Sequence, residues 1–131
     1  MSVSAVLDCS VVVDLLVSED QETVMSTLPR GAWHIPDLLD IEVISALCGL
    51  HLGRHLTIPR VDDALRDYTD LAFTRWSAGP DMRSRIFALG GNLTAYDATY
   101  VALAEGLELP LITRDKRMAS SARRWVTVQT L

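Results

Sequence analysis

The stretch LTAYDATYVALAE, residues 93–105, decides how the rest of the chain is arranged. Its small and apolar residues predict a buried helix that begins at the second or third of them and is closed by Gly106. The apolar run at residues 109–113 then predicts a buried strand. Asp97 lies at the start of the helix, and Asp115 lies just past the strand. Acids at equivalent boundaries elsewhere in the chain therefore become candidates for a common site.

Strands and helices alternate along the rest of the chain. The valine-rich run at residues 11–16 is predicted as a short helix capped by Ser10, although three successive valines favour a strand almost as strongly. The alternation of strands and helices over one domain predicts an α/β fold, in which helices cover both faces of a mostly parallel sheet. Strands are predicted at residues 3–7, 32–35, 74–77, 109–113 and 125–128, and helices at residues 11–16, 21–28, 38–52, 60–73, 82–89, 94–105 and 116–122.

Length and composition limit the class of protein. The 131 residues fit one domain, residues 1–131, and a hydrophobic content of 49% excludes a disordered chain. No apolar run approaches the roughly 20 residues that span a bilayer, and no export signal precedes the first strand. We therefore expect a cytoplasmic protein in which Cys9 and Cys48 are buried, reduced thiols. The net charge of −5 argues against a broad basic face, but an acidic pocket rimmed by arginines is compatible with a nucleic-acid enzyme.

Four carboxylates stand at or near boundaries between the predicted strands and helices. Asp8 follows the first strand, and Asp115 follows the fourth. Asp97 opens the helix that leads into the fourth strand, and Glu42 lies one turn into the helix after the second strand. In an open parallel sheet, ligands bind in the crevice at the edge formed by the carboxyl ends of the strands. The four acids are therefore expected to converge on one pocket.

Carboxylates gathered in this way need compensation, because they repel each other and because burial makes each harder to ionise. Bound protons or a cation would neutralise the carboxylate charges. A set of oxygen ligands suits Mg²⁺ or Mn²⁺, and such an ion activates water and holds a phosphodiester for in-line attack. The hydroxyls of Ser10 and Thr113 lie at the same edge, where they would orient the ligands.

The simpler interpretation of any one of these acids is a turn residue or a helix cap. Asp37, Asp81 and Asp115 all precede predicted helices and are expected to cap them. Glu42 is different, because it interrupts an apolar run without an obvious charge partner at helical spacing. The joint pattern of four acids is what favours a common site. The histidines lack spacing typical of zinc, and the chain has no glycine-rich phosphate loop.

Four segments match a known pattern in order and in spacing: VLDCSVVV at residues 6–13, PDLLDIEV at 36–43, NLTAYDATYVALA at 92–104 and PLITRD at 110–115. They resemble the PIN-domain nucleases and, more closely, the VapC-type toxins of bacterial toxin–antitoxin systems. The resemblance covers nearly the whole chain, and the third segment is the most specific.

This resemblance implies a PIN-like fold in three layers, α/β/α, around a mostly parallel sheet of four to five strands. It implies a cytosolic homodimer with Mg²⁺- or Mn²⁺-dependent endoribonuclease activity. The expected reaction is attack of a metal-activated water on an RNA phosphorus, which gives 5′-phosphate and 3′-hydroxyl ends. The resemblance also implies an antitoxin partner whose C-terminal segment covers the acidic pocket, often with a basic side chain.

The functional positions of the family carry over residue by residue. Asp8 and Asp97 are the expected principal metal ligands, and Glu42 and Asp115 complete the set directly or through water. The small hydroxyl residues of the family fall on Ser10 and Thr113. Cys9 stands where the family more often has Ala or Thr, and we expect little effect on metal binding. Candidates for contacts with RNA phosphates are Arg83, Arg85, Arg114 and Lys116.

Two other functions stay open at this point. One is a catalytically inactive PIN-like module that binds a protein or RNA, against which the complete set of four acids argues. The other is a receiver-type α/β domain that uses an Asp at a strand end. Lys116 fits that second function, but Glu42 in the middle of a helix is not explained by it.

Overall fold

A five-stranded, all-parallel sheet runs through the centre of the computed structural model, which describes residues 3–131. The strand order is β3-β2-β1-β4-β5. The strands are β1 (Ala5–Leu7), β2 (Trp33–Pro36), β3 (Phe73–Trp76), β4 (Leu111–Thr113) and β5 (Val128–Thr130). The helices are α1 (Cys9–Val17), α2 (Gln21–Ser26), α3 (Leu38–Leu52), α4 (Ile58–Asp70), α5 (Pro80–Leu89), α6 (Ala95–Leu107) and α7 (Lys116–Ala122).

Helices cover both faces of the sheet. Every residue of β1 and β4 is buried, as expected for parallel strands that lie between two helical layers. Helix α1 packs against α3 and α4, and α5 packs along α6. The predicted α/β class, with a mostly parallel sheet of four to five strands in three layers, is therefore confirmed.

The register of the central strands positions the candidate site. Val6 and Leu7 of β1 pair with Leu111 and Ile112 of β4, so the two strands end side by side. The backbone N–H of Asp8 continues this ladder and donates to the carbonyl of Ile112 at 3.2 Å. The residues that follow β1 and β4 consequently lie next to each other at one edge of the sheet.

Helix α1 begins earlier than predicted, and its cap is Asp8 rather than Ser10. The Asp8 carboxylate accepts a hydrogen bond from the backbone N–H of Val11, as an N-cap residue does. The hydroxyl of Ser10 is instead directed at the Asp8 carboxylate. Val11 and Val12 of this run are fully buried, and this packing overrides the preference of valine for a strand.

Helix α6 begins where the sequence predicts, but it ends later. The side chain of Thr94 caps it by accepting from the backbone N–H of Asp97 at 3.1 Å. The helix continues through Gly106, and the residue that closes it is Glu108, whose φ of 55° lies in the left-handed region. The prediction that Gly106 closes the helix was wrong, because the reversal into β4 begins two residues further along the chain.

Other predictions were wrong in detail, among them the helix predicted at residues 60–73, which ends at Asp70 because β3 begins at Phe73. The last strand is Val128–Thr130, because the N–H groups of both Trp125 and Val126 bond back to the carbonyl of Ala122 and hold that segment in a turn. Helix α5 begins at Pro80, before the predicted cap Asp81. Cys48 is exposed rather than buried.

Helix α3 has its predicted bounds, although the predicted cap Asp37 makes no capping bond with its side chain. The Asp37 carboxylate instead accepts a hydrogen bond from the hydroxyl of Ser77, just past the end of β3. Within residues 3–131, none of the helices combines the length and the apolar character that crossing a membrane requires.

Candidate metal centre

Asp8 is the most buried of the candidate acids, with 4% of its surface exposed. One carboxylate oxygen accepts from the hydroxyl of Ser10 at 2.6 Å and from the N–H of Val11 at 3.2 Å. The other oxygen accepts from the hydroxyl of Thr113 across the junction of β1 and β4. Burial raises the pKa of Asp8, the three hydrogen bonds offset part of that rise, and the charge of Asp115 adds to it.

Thr113, the last residue of β4, links the two strand ends through its hydroxyl. It is fully buried, and its Oγ1 accepts from the backbone N–H of Asp115 at 3.0 Å while it donates to Asp8. Its Oγ1 also lies 3.4 Å from the Oγ of Ser10. Both hydroxyl residues expected at this edge therefore hydrogen-bond the Asp8 carboxylate.

Asp115 caps α7, as predicted. Its Oδ1 accepts from the backbone N–H groups of Arg117 at 2.9 Å and Met118 at 3.1 Å. These bonds fix the carboxylate at the edge of the sheet, beside the end of β4. The capping interpretation and a place in the acidic site are thus compatible for this residue.

Glu42 reaches the site from α3. It is half-buried, and its Oε1 accepts a hydrogen bond of 2.6 Å from the hydroxyl of Tyr100 on α6. Burial raises the pKa of Glu42, the bond from Tyr100 lowers it, and the nearby charges of Asp97 and Asp8 raise it further. Glu42 has no partner at helical spacing on α3, and its hydrogen-bond partner, Tyr100, comes from α6 instead.

Asp97 lies in the first turn of α6 and is half-buried. Burial raises its pKa, the positive charge of Arg117 lowers it, and the charge of Asp115 raises it. Asp97 is thus near Asp115 on one side and near Glu42 on the other.

We call the four acids the acidic ring, because the charge of each affects, or is affected by, two of the others. The charge effects connect Asp8 with Asp115, Asp115 with Asp97, Asp97 with Glu42, and Glu42 with Asp8. As they stand, no three acidic, histidine or cysteine side chains within residues 3–131 form a group compact enough to hold one metal ion.

The chemistry of the hydrogen-bond partners fits a cation. In residues 3–131, every side chain that donates to these four carboxylates is a neutral hydroxyl. The ion pairs found in that same part of the chain use other acids, namely Asp63, Asp40, Glu105 and Asp14. Negative charge is therefore left available for a hard ion such as Mg²⁺ or Mn²⁺, which prefers oxygen ligands.

Cys9 borders the acids from the first turn of α1 and is partly buried. Burial, together with the charges of Glu42 and Asp8, raises the pKa of its thiol to about 12. The thiol is therefore protonated at neutral pH and behaves as a small neutral wall residue.

The predicted phosphate contacts have different surroundings. Arg85 forms a bidentate ion pair with Glu105, with N–O distances of 2.7 and 2.9 Å. Arg114 pairs with Asp14 at 3.1 Å, and Arg83 donates to a backbone carbonyl at 2.7 Å. Lys116 is exposed at the start of α7.

Comparison with known proteins identifies the family. The family model described as the PIN domain matches residues 5–123, a range that contains all four acids. The chain belongs to the PIN domain family. This PIN domain is 34% identical over 118 residues to VapC ribonuclease Mb0985 of Mycobacterium bovis, which covers 90% of this chain and 91% of that protein. It is 34% identical over 128 residues to ribonuclease VapC3 of Mycobacterium tuberculosis, which covers 96% of this chain and 90% of the relative.

Solved structures share the fold of this PIN domain. PAE2754 from Pyrobaculum aerophilum superposes with a TM-score of 0.71 at 22% identity, over 96% of this chain and 83% of the other. VapBC2 from Rickettsia felis, solved with a DNA fragment from its promoter, gives a TM-score of 0.69 at 8% identity, over 98% of each chain. The predicted resemblance to PIN-domain nucleases, and to VapC proteins in particular, is confirmed.

Two residues of this PIN-domain site were missed by sequence reasoning. Tyr100 contacts Glu42 directly, and Arg117 is the cation whose charge acts on Asp97. Tyr100 lies three residues after Asp97, so both occupy neighbouring positions on one side of α6, and that spacing was a usable signal. Arg117 gave no such signal, because it is one of several cations near the end of β4.

Proposed function

We propose that this PIN domain is a metal-dependent endoribonuclease that acts as the toxin of a toxin–antitoxin pair. The observation that carries the proposal is the ring of four carboxylates, delivered by four separate segments and hydrogen-bonded by neutral side chains. Packing gives no reason to gather so much unneutralised charge at one sheet edge. The curated relatives that match nearly the whole chain are themselves named ribonucleases.

The proposed roles follow from the surroundings of each acid. Asp8 and Asp97 are the principal ligands of Mg²⁺ or Mn²⁺, and Glu42 and Asp115 complete the set directly or through water. When bound, such an ion stabilises charge on a phosphodiester and lowers the pKa of a coordinated water. The backbone bonds of Asp115 and the hydroxyl bonds of Asp8 hold their carboxylates in fixed orientations, so little ordering remains when the site is occupied.

Cations at the rim supply the contacts for the RNA backbone. Lys116 and Arg117 begin the helix that Asp115 caps, so their charges lie beside the acidic ring. Arg83 and Arg114 are further candidates for phosphate contacts, and Arg85 contributes after exchange of its bond to Glu105. Contacts to phosphates give affinity without sequence information, so they position the strand rather than select a base.

The proposed protein partners are an antitoxin and a second copy of this chain. A neighbour of the same fold, from Klebsiella pneumoniae, was solved as a toxin–antitoxin complex, with a TM-score of 0.64 at 22% identity. An acidic pocket complements a basic side chain carried by an antitoxin segment. A cytoplasmic location follows from the RNA substrate.

A self-complementary surface supports the homodimer. Phe87 on α5 is 88% exposed and stands beside an apolar groove of about 680 Å³ lined by Ile86, Leu93 and Ala95. A two-fold interface requires one patch that matches itself, and a protruding ring next to a groove meets that requirement. Tyr96, 62% exposed at the start of α6, continues this surface towards the acidic ring.

A nuclease assay tests the proposed activity. Purified protein is incubated with cellular RNA in Mg²⁺, in Mn²⁺ or in EDTA, next to the variants Asp8→Asn and Asp97→Asn. Asp62→Asn is the matched control, because Asp62 is an exposed acid on α4 outside the ring. We expect cleavage only with metal, a loss of at least about 100-fold in both site variants, and normal cleavage by the control.

Several results would contradict the proposal. Cleavage that persists in EDTA or in both site variants excludes the metal mechanism. No cleavage of any RNA by protein that is free of antitoxin and supplied with metal favours the inactive binding module.

A further inference from the structure

Tyr100 connects the two helices that carry Glu42 and Asp97. Its hydroxyl donates to Oε1 of Glu42 at 2.6 Å, and its own backbone lies three residues beyond Asp97 on α6. We propose that Tyr100 is a positioning residue of the metal centre, which holds the Glu42 carboxylate in place without neutralising it. This inference rests on the proposed metal-dependent function of the same site.

Packing explains the aromatic ring of Tyr100 but not its hydroxyl. The side chain is 2% exposed and belongs to the hydrophobic core, where a phenylalanine ring would fill the same space. A buried tyrosine hydroxyl needs a hydrogen-bond partner, and here that partner is the carboxylate of Glu42. The hydroxyl of Tyr100 is therefore explained by its hydrogen bond to Glu42 rather than by packing.

Glu42 requires such a partner because of its own position. It lies on α3, and its neighbours towards the end of that helix, Ser45 and Ala46, are small, so they offer little to fix the glutamate side chain. A free glutamate samples many rotamers, and ordering it on metal binding opposes that binding. The Tyr100 hydroxyl fixes one carboxylate oxygen and leaves Oε2 for a cation.

The contact with Glu42 differs from the ion pairs of the molecule, because its donor, the Tyr100 hydroxyl, is uncharged. Asp40, two residues before Glu42 on the same helix, accepts from both Tyr68 and the guanidinium of Arg75. An arginine paired with Glu42 would compete with a metal ion for the negative charge of the carboxylate. A tyrosine orients the carboxylate and keeps its charge available.

Metal binding measured directly tests this inference. Isothermal titration with Mn²⁺ is carried out on the wild-type chain, Tyr100→Phe, Glu42→Ala and the double variant. We expect Tyr100→Phe to weaken Mn²⁺ binding about tenfold, as is typical when the hydrogen-bond partner of a metal ligand is removed. In the Glu42→Ala background, the same substitution should cause no further change.

Tyr68→Phe is the matched control. This change removes a similar bond, in which the Tyr68 hydroxyl donates to the Asp40 carboxylate at 2.5 Å. Asp40 lies on α3, as Glu42 does, but it does not belong to the acidic ring. The Mn²⁺ affinity of Tyr68→Phe should equal that of the wild-type chain. Thermal unfolding in EDTA shows whether Tyr100→Phe and Tyr68→Phe remain folded to the same extent.

The outcomes separate this inference from the proposed function. A wild-type chain that binds no Mn²⁺ overturns the proposed function, and this inference with it. Wild-type binding that is unchanged in Tyr100→Phe overturns only the role of Tyr100. Equal weakening with and without Glu42 also overturns it, because the hydroxyl would then act through general packing.

Discussion

Removing the hydroxyl of Thr113 while keeping its shape is the sharpest perturbation of the junction between β1 and β4. In Thr113→Val, the fully buried position keeps its packing but loses two hydrogen bonds, one to the Asp8 carboxylate and one from the N–H of Asp115. A hydrogen bond to a charged group contributes roughly 1.5–3 kcal/mol, and one to a backbone amide roughly 0.5–1.5 kcal/mol. We expect the free energy of unfolding in EDTA to fall by about 2–4 kcal/mol.

Thr113→Ser provides the comparison, because it keeps the hydroxyl and loses one buried methyl group. That change should lower the free energy of unfolding by about 1 kcal/mol. Urea denaturation followed by tryptophan fluorescence measures all three proteins. Valine is thus expected to be the more damaging substitution, although it is more apolar and a better strand former than serine.

The opposite ranking would refute the reasoning. If Thr113→Val is as stable as the wild-type chain, or if Thr113→Ser is the less stable of the two variants, the hydroxyl does not hold Asp8. Saturating Mn²⁺ offers a second check. It should stabilise both the wild-type chain and Thr113→Val, but Thr113→Val by less, because stabilisation by a ligand of the folded state falls as the ligand binds more weakly, and this variant no longer holds the Asp8 carboxylate.

Three further predictions address the fold, the charge of the site and the dimer. A Cβ at Gly31 would lie 2.1 Å from a backbone oxygen, so Gly31→Ala should lower the free energy of unfolding by about 3 kcal/mol, whereas Gly49→Ala, in open space within α3, should raise it by about 0.5–1 kcal/mol in the same urea titration. Burial holds the pKa of Asp8, Glu42 and Asp97 above their unfolded-state values, so their stabilising contribution is full below about pH 4 and is lost as the pH rises through the folded-state pKa. In EDTA, this contribution should raise the thermal midpoint as the pH is lowered towards about 4, and by less in Asp8→Asn; the same pH dependence in both proteins would contradict this. For the proposed homodimer, Phe87→Glu should lower the mass measured by light scattering from that of a dimer to that of a monomer, because it places a charge in an apolar interface; an unchanged mass would show that Phe87 is not part of the interface.

Much of the fold was predictable because its signals are local. Alternating apolar runs and breaks indicated every strand and helix, and the bounds of α3 were predicted to the residue. The signals failed where two neighbouring polar residues competed for one role. Asp8 and Ser10 are both good caps by residue type, and only the geometry of the strand end decides that Asp8 caps α1.

Apolar composition also predicted burial where the structure has exposure. Helix α3 carries apolar residues on its exposed side as well as on the buried side formed by Leu39, Val43 and Leu47, so apolar character alone did not separate the two sides. Ile41, Ile44 and Cys48 lie on the exposed side, spaced three and four residues apart. The run that begins at Trp125 was similarly taken for a strand, although it packs as a turn before β5.

The candidate site was predictable to the extent that it depends on strand ends. Asp8 and Asp115 follow paired strands, so their proximity comes from sheet topology alone. The contact between Glu42 and Tyr100 depends on how α3 meets α6, and no local pattern contains that information. The single-domain organisation, the metal ligands and the RNA contacts stay predictions.

The most direct test of the central claim is a crystal structure of the chain soaked in Mn²⁺, with the ion located by its anomalous scattering. The claim is that the four carboxylates form one cation site. It predicts an anomalous peak within about 2.1 Å of carboxylate oxygens of both Asp8 and Asp97, with Glu42 and Asp115 drawn towards it directly or through water. Ordered Mn²⁺ found only elsewhere on the molecule, or no peak at the acidic ring at saturating Mn²⁺, would contradict it.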